Sequence, residues 1–215
     1  KKGFKNAIKR AIYSTAMRIY TNRICRLLKV EIKGKENLKG VKGAIITCNH
    51  ISKFDSFAVR KAVGVNIFFV AADYNNWAGK MGETARYTGY LPLSSKFSVM
   101  KKFNQAMEYY LNKGKKILIY PEQAMWRDYE KPRPLKDGAF HYAVKHKVPI
   151  LPLFITFRPS GIIEDGIERK YYTIHILKPI YPQENLTSKE NVEYMRKTNY
   201  NRWKECYESF YQKEL

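Results

Sequence analysis

At 215 residues, with 45% apolar and 14% aromatic residues, the chain is long enough for one domain with a full core and too apolar to stay disordered. No apolar run reaches the roughly 20 residues of a membrane-spanning helix; the longest, about Ala62 to Ala72, is shorter and contains Asn66. A formal net charge of +21 predicts polyanionic partners, whether nucleic acid, an anionic bilayer or acidic substrates, unless it reflects only a lysine-rich solvated surface.

Residues 1–29 carry Lys1, Lys2, Lys5, Lys9, Arg10, Arg18, Arg23, Arg26 and Lys29 without an acid. Phe4, Ile8, Ile12, Ile19 and Leu27 recur near helical spacing. The stretch predicts a basic amphipathic helix suited to an anionic membrane surface, or, more plainly, a helix packed on the domain with its charges in water. Lys1 rather than Met opens the chain, so the sequence leaves an upstream anchor open. Cys25, Cys48 and Cys206 are odd in number and far apart, which suggests reduced thiols, no disulfide framework and no metal site.

The remaining chain, 30–215, reads as one domain in which strands alternate with helices. Strands are expected at Val30 to Lys33, Ala44 to Cys48, Val65 to Ala71, Gly89 to Leu93, Lys116 to Tyr120, Pro149 to Phe157 and Tyr172 to Ile180. Pro92 argues for an edge position. Helices are expected over Ser56 to Val63, in part of Asp73 to Thr88, over Ser98 to Leu111 and Lys136 to Lys147, and from the capping box Thr187-x-x-Glu190 towards Leu215. Lys131-Pro-Arg-Pro134 reads as a rigid loop. This alternation defines an α/β fold, a mostly parallel or mixed sheet flanked by helices.

One stretch carries chemistry. The Ala44 to Cys48 strand stops at Asn49-His50, and a helix begins near Asp55. Five residues do not share a helical face. The two side chains therefore meet only if His50 lies in the turn and Asp55 in the first helical turn, where a carboxylate also suits the helix dipole. There the acid would set the imidazole tautomer and free the other nitrogen to take a proton from a hydroxyl. The plainer alternative is a satisfied turn histidine beside an ordinary helix acid. A second polar residue, Glu122, also follows an apolar strand, and sites in such sheets form beyond the carboxyl ends of strands.

In order along the chain, four blocks resemble the lysophospholipid acyltransferase family. Asn49-His50-x-Ser52-x-x-Asp55 matches the family's His-x4-Asp block. Gly89-Tyr-Leu-Pro-Leu-Ser-Ser95 matches the second, with Ser95 where arginine is usual. Tyr120-Pro121-Glu122 matches the third, but Gln123, Ala124 and Met125 replace its last residues, again including an arginine. Val148-Pro149-Ile-Leu-Pro152 matches the fourth closely. The resemblance implies acyl transfer from acyl-CoA or acyl carrier protein to a hydroxyl of a lysolipid or related acceptor, with His50 as base, Asp55 as its orienter and no resident cofactor. It implies Asn49, Ser52, Gly89 and Glu122 at the acceptor; either nearby cations, Arg86, Lys96, Arg127 and Arg133, stand in for the missing arginines, or the acceptor carries no phosphate there. The oxyanion donors stay open, backbone amides near Glu122 among them. Because both usual arginines are replaced, lysophosphatidate is expected to be a poor acceptor. None of the three cysteines is needed as a nucleophile. Peripheral attachment at the cytoplasmic face of a membrane is the expected location. The rival is a catalytically silent membrane-binding protein of the same fold. A nucleic-acid partner is not expected, because no binding module is recognisable.

Overall fold

The computed structural model describes residues 2–73 and 79–215. The elements follow the hydrophobic patterning: α1 (Lys2–Leu27), β1 (Glu31–Lys33), β2 (Ala44–Thr47), α2 (Asp55–Val63), β3 (Phe68–Ala72), α3 (Gly79–Tyr87), β4 (Tyr90–Leu93), α4 (Phe97–Asn112), β5 (Lys116–Ile119), α5 (Gly138–Lys145), β6 (Ile150–Glu164), β7 (Ile167–Ile176) and α6 (Ser188–Tyr211). A short 3₁₀ turn, Lys35–Leu38, follows β1. Residues 74–78, within the partly helical expectation for Asp73 to Thr88, lie outside the described residues.

Seven strands form one mixed sheet in the order β1-β7-β6-β2-β5-β3-β4. Every neighbouring pair is parallel except β6 and β7. Parallel strands bury both faces under helices, and alternate residues divide between two cores. Ile46, Cys48, Leu118 and Leu151 face α2 and the end of α1, together with Ala58, Val59 and Leu28. Ile45, Ile117, Ile150 and Phe154 face α4, α5 and α6 and pack with Met107, Phe140 and Trp203. β4 lies at the sheet edge, where Pro92 is tolerated. The capping box forms: Glu190 N donates to Thr187 Oγ1, and Thr187 N to Glu190 Oε2 at 2.8 Å.

The end of the sheet departs from the expectation. The strand expected to stop at Phe157 runs on to Glu164, through a register shift between Pro159 and Ile163, and turns at Asp165-Gly166 into β7. Both turn residues have positive φ, 51° and 75°. That is the demand of a two-residue hairpin turn, which an Asp-Gly pair meets at low cost. β7 ends at Ile176, and Ile180 instead makes a single antiparallel bridge to Ile150.

In α1 the packing face is not the one its aliphatic spacing suggests. Thr21 and Cys25 are buried against the domain, while Ile8, Ile12, Ile19 and Leu27 are exposed by 44–66%. The aliphatic stripe therefore points to solvent. None of the helices among the described residues is long and apolar enough to cross a membrane.

Candidate active site

β2 ends at Thr47, and the chain leaves the sheet through Cys48, Asn49 and His50. Asn49 is fully buried: its Nδ2 donates to Ile155 O at 2.9 Å, and its Oδ1 accepts from Ile155 N at 2.8 Å. Asn49 thus extends the β2 ladder to β6 through a side chain, and both ends of its amide are occupied. Fixing this residue aims the next one, His50, outward beyond the strand ends.

The turn after His50 is built on Asp55, the first residue of α2. Asp55 Oδ2 accepts from the N–H of Ile51 at 2.8 Å and of Ser52 at 2.9 Å, and lies 2.9 Å from His50 Nδ1. Three donors converge on one oxygen at a helix N-terminus, where negative charge is favoured. The carboxylate is fully buried. Burial pushes its pKa above the ordinary value, and the hydrogen bonds from His50, Ser52 and Ile51 pull it back. A carboxylate accepting from Nδ1 fixes the proton there and leaves Nε2 with a free lone pair. The imidazole lies flat against Tyr120, with centroids 3.9 Å apart and ring planes 13° apart.

His50 opens on a cleft of 840 Å³ lined by Ser52, Lys53, Phe69, Phe103, Tyr120 and Lys136 among others, with Val70, Ala71, Leu93 and Ile119 deepening its apolar wall. The cleft thus has a histidine and two lysines together with a long apolar surface. Sequence reading missed Lys53 and Lys136, because Lys53 fills an unspecified position of the His-x4-Asp block and Lys136 lies outside all four blocks. Only their position around the strand ends identifies them.

Several expected site residues hold other positions. Glu122 is buried: its Oε2 accepts from His50 N at 3.0 Å, and its Oε1 from Arg133 N at 3.2 Å. Arg133 pairs with the same carboxylate at 2.5 Å, and the two side chains are 0% and 7% exposed. The Arg133 guanidinium also donates to Ala124 O and lies 4.6 Å from the Trp126 ring. Glu122 and Arg133, expected at the acceptor, are thus each other's partners and lock two loops behind His50. Burial raises the Glu122 pKa, and the His50 amide and Arg133 oppose that shift.

Gly89 stands before β4, at the end of the sheet opposite His50. Its φ is 103°, and a Cβ there would meet Ile67 O at 2.5 Å, so the residue answers a backbone contact and does not line the cleft. Lys96 and Arg127 are exposed outside the cleft lining; the Arg127 side chain is 80% exposed and faces Asp128 at 3.7 Å. Ser52 does line the cleft, and its hydroxyl accepts from Phe54 N. Near Glu122, the amides of Gln123, Ala124 and Trp126 already donate to Tyr120 O, Glu122 O and His50 O. Cys48 is fully buried in the core, and burial raises its thiol pKa well above the ordinary value. His175 is neutral at physiological pH, pushed down to about 4 by burial. Among the described residues no cluster could hold a metal ion.

The fold matches that of a solved structure, the 1-acyl-sn-glycerophosphate (LPA) acyltransferase PlsC from Thermotoga maritima, with a TM-score of 0.65 and 20% identity over 91% of this chain and 81% of that one. That likeness defines the architecture: an α/β layer fold of the kind found in that acyltransferase. A family model described as Acyltransferase matches residues 29–156, more than half of the chain, and the protein belongs to that family. Curated relatives include the 1-acyl-sn-glycerol-3-phosphate acyltransferase of Saccharomyces cerevisiae, 28% identical over 79% of this chain and 57% of its own length. The human 1-acyl-sn-glycerol-3-phosphate acyltransferase alpha is 25% identical over 74% and 57%. The enzyme from Limnanthes douglasii is 25% identical over 60% and 46%. The chain spans about half the length of these relatives.

Proposed function

We propose that the protein transfers a fatty acyl group from a thioester, acyl-CoA or acyl carrier protein, to a hydroxyl of a lysophospholipid, with His50 as general base. The carrying observation is the His50 Nδ1 contact to Asp55 at 2.9 Å beside the apolar cleft. Nε2 takes the proton of the acceptor hydroxyl, and that oxygen attacks the thioester carbonyl. The tetrahedral oxyanion then collapses, the C–S bond breaks, and the thiolate leaves with the proton from His50. No acyl-enzyme is required, and Cys48 is too buried to form one. The wall around Phe69, Val70 and Phe103 suits an acyl chain. The direct test is transfer from labelled acyl-CoA or acyl carrier protein to a panel of lysolipids. Absence of transfer to any of them would favour the silent membrane-binding reading.

Two cations at the cleft revise the expectation for the acceptor. With Arg133 held by Glu122 and Arg127 and Lys96 outside, Lys53 and Lys136 are the positive groups facing this space. We assign them to the acceptor phosphate, as point charges in place of bidentate arginines. Each charge-assisted contact contributes about 1.5–3 kcal/mol. Lys136→Gln and Lys53→Gln should therefore each raise KM for lysophosphatidate by about tenfold or more, with little change for an uncharged monoacylglycerol. Equal effects on both acceptors would remove the phosphate assignment.

The outward stripe of α1 supports peripheral membrane attachment. Ile8, Ile12 and Ile19 are exposed on a helix that also carries Lys5, Arg23 and Arg26. A helix of this kind buries its apolar face at the headgroup boundary, and each basic residue near an anionic surface contributes about 1 kcal/mol. Ile12→Gln/Ile19→Gln should weaken co-sedimentation with anionic vesicles, and added salt should weaken binding of the parent protein. Binding indifferent to both changes would make α1 a packing element alone.

A further inference from the structure

At the end of the sheet opposite His50, α1 crosses the starts of β3, β4 and β5 and leaves a groove against the domain. It consists of two adjoining hollows, of 560 Å³ and 690 Å³, which share Asn66, Ile67 and Lys115. Seven basic residues line it and no carboxylate does: Arg18, Arg60, Lys61, Lys115 and Lys116 in one hollow, Arg10 and Arg86 added by the other. A generally basic surface normally intersperses acids with its cations, and this chain has nineteen acids to place.

Three details separate the groove from a solvated lysine patch. Arg60 is 3% exposed, and its guanidinium meets only neutral acceptors, donating to Val65 O at 2.6 Å and Thr88 O at 2.7 Å. Buried charges ordinarily have an opposite charge, and Arg60 has no ion pair among the described residues. Lys116 is half-buried, and Arg10, Arg18, Lys115 and Lys116 make no ion pair among the described residues. The Thr21 hydroxyl, in the groove wall, is buried without a hydrogen-bond partner among the described residues. Arg10, Arg18, Lys115 and Lys116, unpaired with any acid among the described residues and lining the same groove as the Thr21 hydroxyl, offer charge and donors to an oxyanion. Burial lowers the pKa of both Arg60 and Lys116, the direction expected when no anion is present.

We propose that this groove is a binding site for a phosphate group, separate from the acyl-transfer cleft. The phosphate can come from the headgroup of an anionic phospholipid, to which the neighbouring exposed stripe of α1 would bring the groove, or from a soluble phosphate. The site is independent of the acyl-transfer reading, and its test does not use turnover.

The experiment compares the parent protein, a groove variant Arg18→Gln/Lys115→Gln/Lys116→Gln, and a control variant Lys101→Gln/Lys102→Gln/Lys189→Gln. The control removes the same charge from exposed positions outside the groove. Thermal unfolding is followed with inorganic pyrophosphate at constant ionic strength, since a ligand that binds only the folded state raises Tm. Co-sedimentation is measured with phosphatidylglycerol/phosphatidylcholine vesicles. The expected result is a rise of about 3 °C or more with pyrophosphate in parent and control, absent in the groove variant. Vesicle binding at least tenfold weaker in the groove variant than in the control identifies the lipid headgroup as the source. Vesicle binding equal in the two variants, with the pyrophosphate shift still lost, identifies a soluble phosphate. If groove and control variants behave alike in both measurements, the groove is only part of a basic surface and the site is overturned. Lys115→Gln alone, at a position that packs no core, repeats the comparison should the triple variant fold poorly.

Discussion

His50→Ala is expected to fold, to bind the acyl donor, and to lose acyl transfer by about 10²- to 10⁴-fold, or roughly 3–5 kcal/mol of barrier. The argument is geometric. Nδ1 is 2.9 Å from a buried carboxylate, which favours the tautomer with the proton on Nδ1 and Nε2 as the base. Asp55→Asn should fall in the same direction for a different reason. A neutral amide no longer stabilises the imidazolium formed as the hydroxyl loses its proton, and it meets the Ile51 and Ser52 amides with weaker acceptance. Single-turnover measurements, with circular dichroism to confirm folding, separate chemistry from donor binding. Near-normal turnover by either variant, with chemistry limiting, would sink the base assignment.

Glu122→Ala carries the largest expected effect on stability. It would leave the Arg133 guanidinium, 7% exposed, without its anion. Breaking a buried pair from one side typically costs about 3–5 kcal/mol, because the remaining charge is desolvated and uncompensated. For a chain of this size that corresponds to a fall in Tm on the order of 10 °C. The His50 amide would lose its acceptor as well, so transfer should drop even at temperatures where the variant is folded. Replacing both partners by apolar residues should cost less than the single change, since no charge is stranded. Calorimetry decides it. A variant of parental stability whose only defect is a raised acceptor KM would return Glu122 to the substrate, as its position in the motif suggests.

Much of this fold was legible because it rests on short-range rules. The apolar runs at Ala44 and Lys116, the helix at Asp55 and the Thr187 capping box each depend on residues within a few positions of one another. The His50–Asp55 contact belongs to the same kind: a five-residue interval that neither helix nor strand can close admits a turn ending on a helix. The hairpin beyond Phe157 has a local signal in Asp165-Gly166, and the strand reaches it only through a register shift between Pro159 and Ile163.

What the chain could not declare are pairings across long separations. Asn49 meets Ile155 because β2 and β6 are neighbours in the sheet, 106 residues apart in sequence. Glu122 meets Arg133 and the His50 amide because two loops converge beyond the strand ends, so a motif carboxylate that reads as a substrate ligand serves as an internal clamp. Gly89 aligns with a functional block yet lies at the far end of the sheet, since direction along a strand, not motif membership, sets which end a residue occupies. The outward stripe of α1 was equally undecided: periodicity shows that a helix has an apolar face, but only the packing of Thr21 and Cys25 shows which face the domain covers. Residue types and local spacing determined the elements and the candidate base. The order of strands in the sheet decided which charges stayed free to meet a substrate and which were consumed in holding the loops.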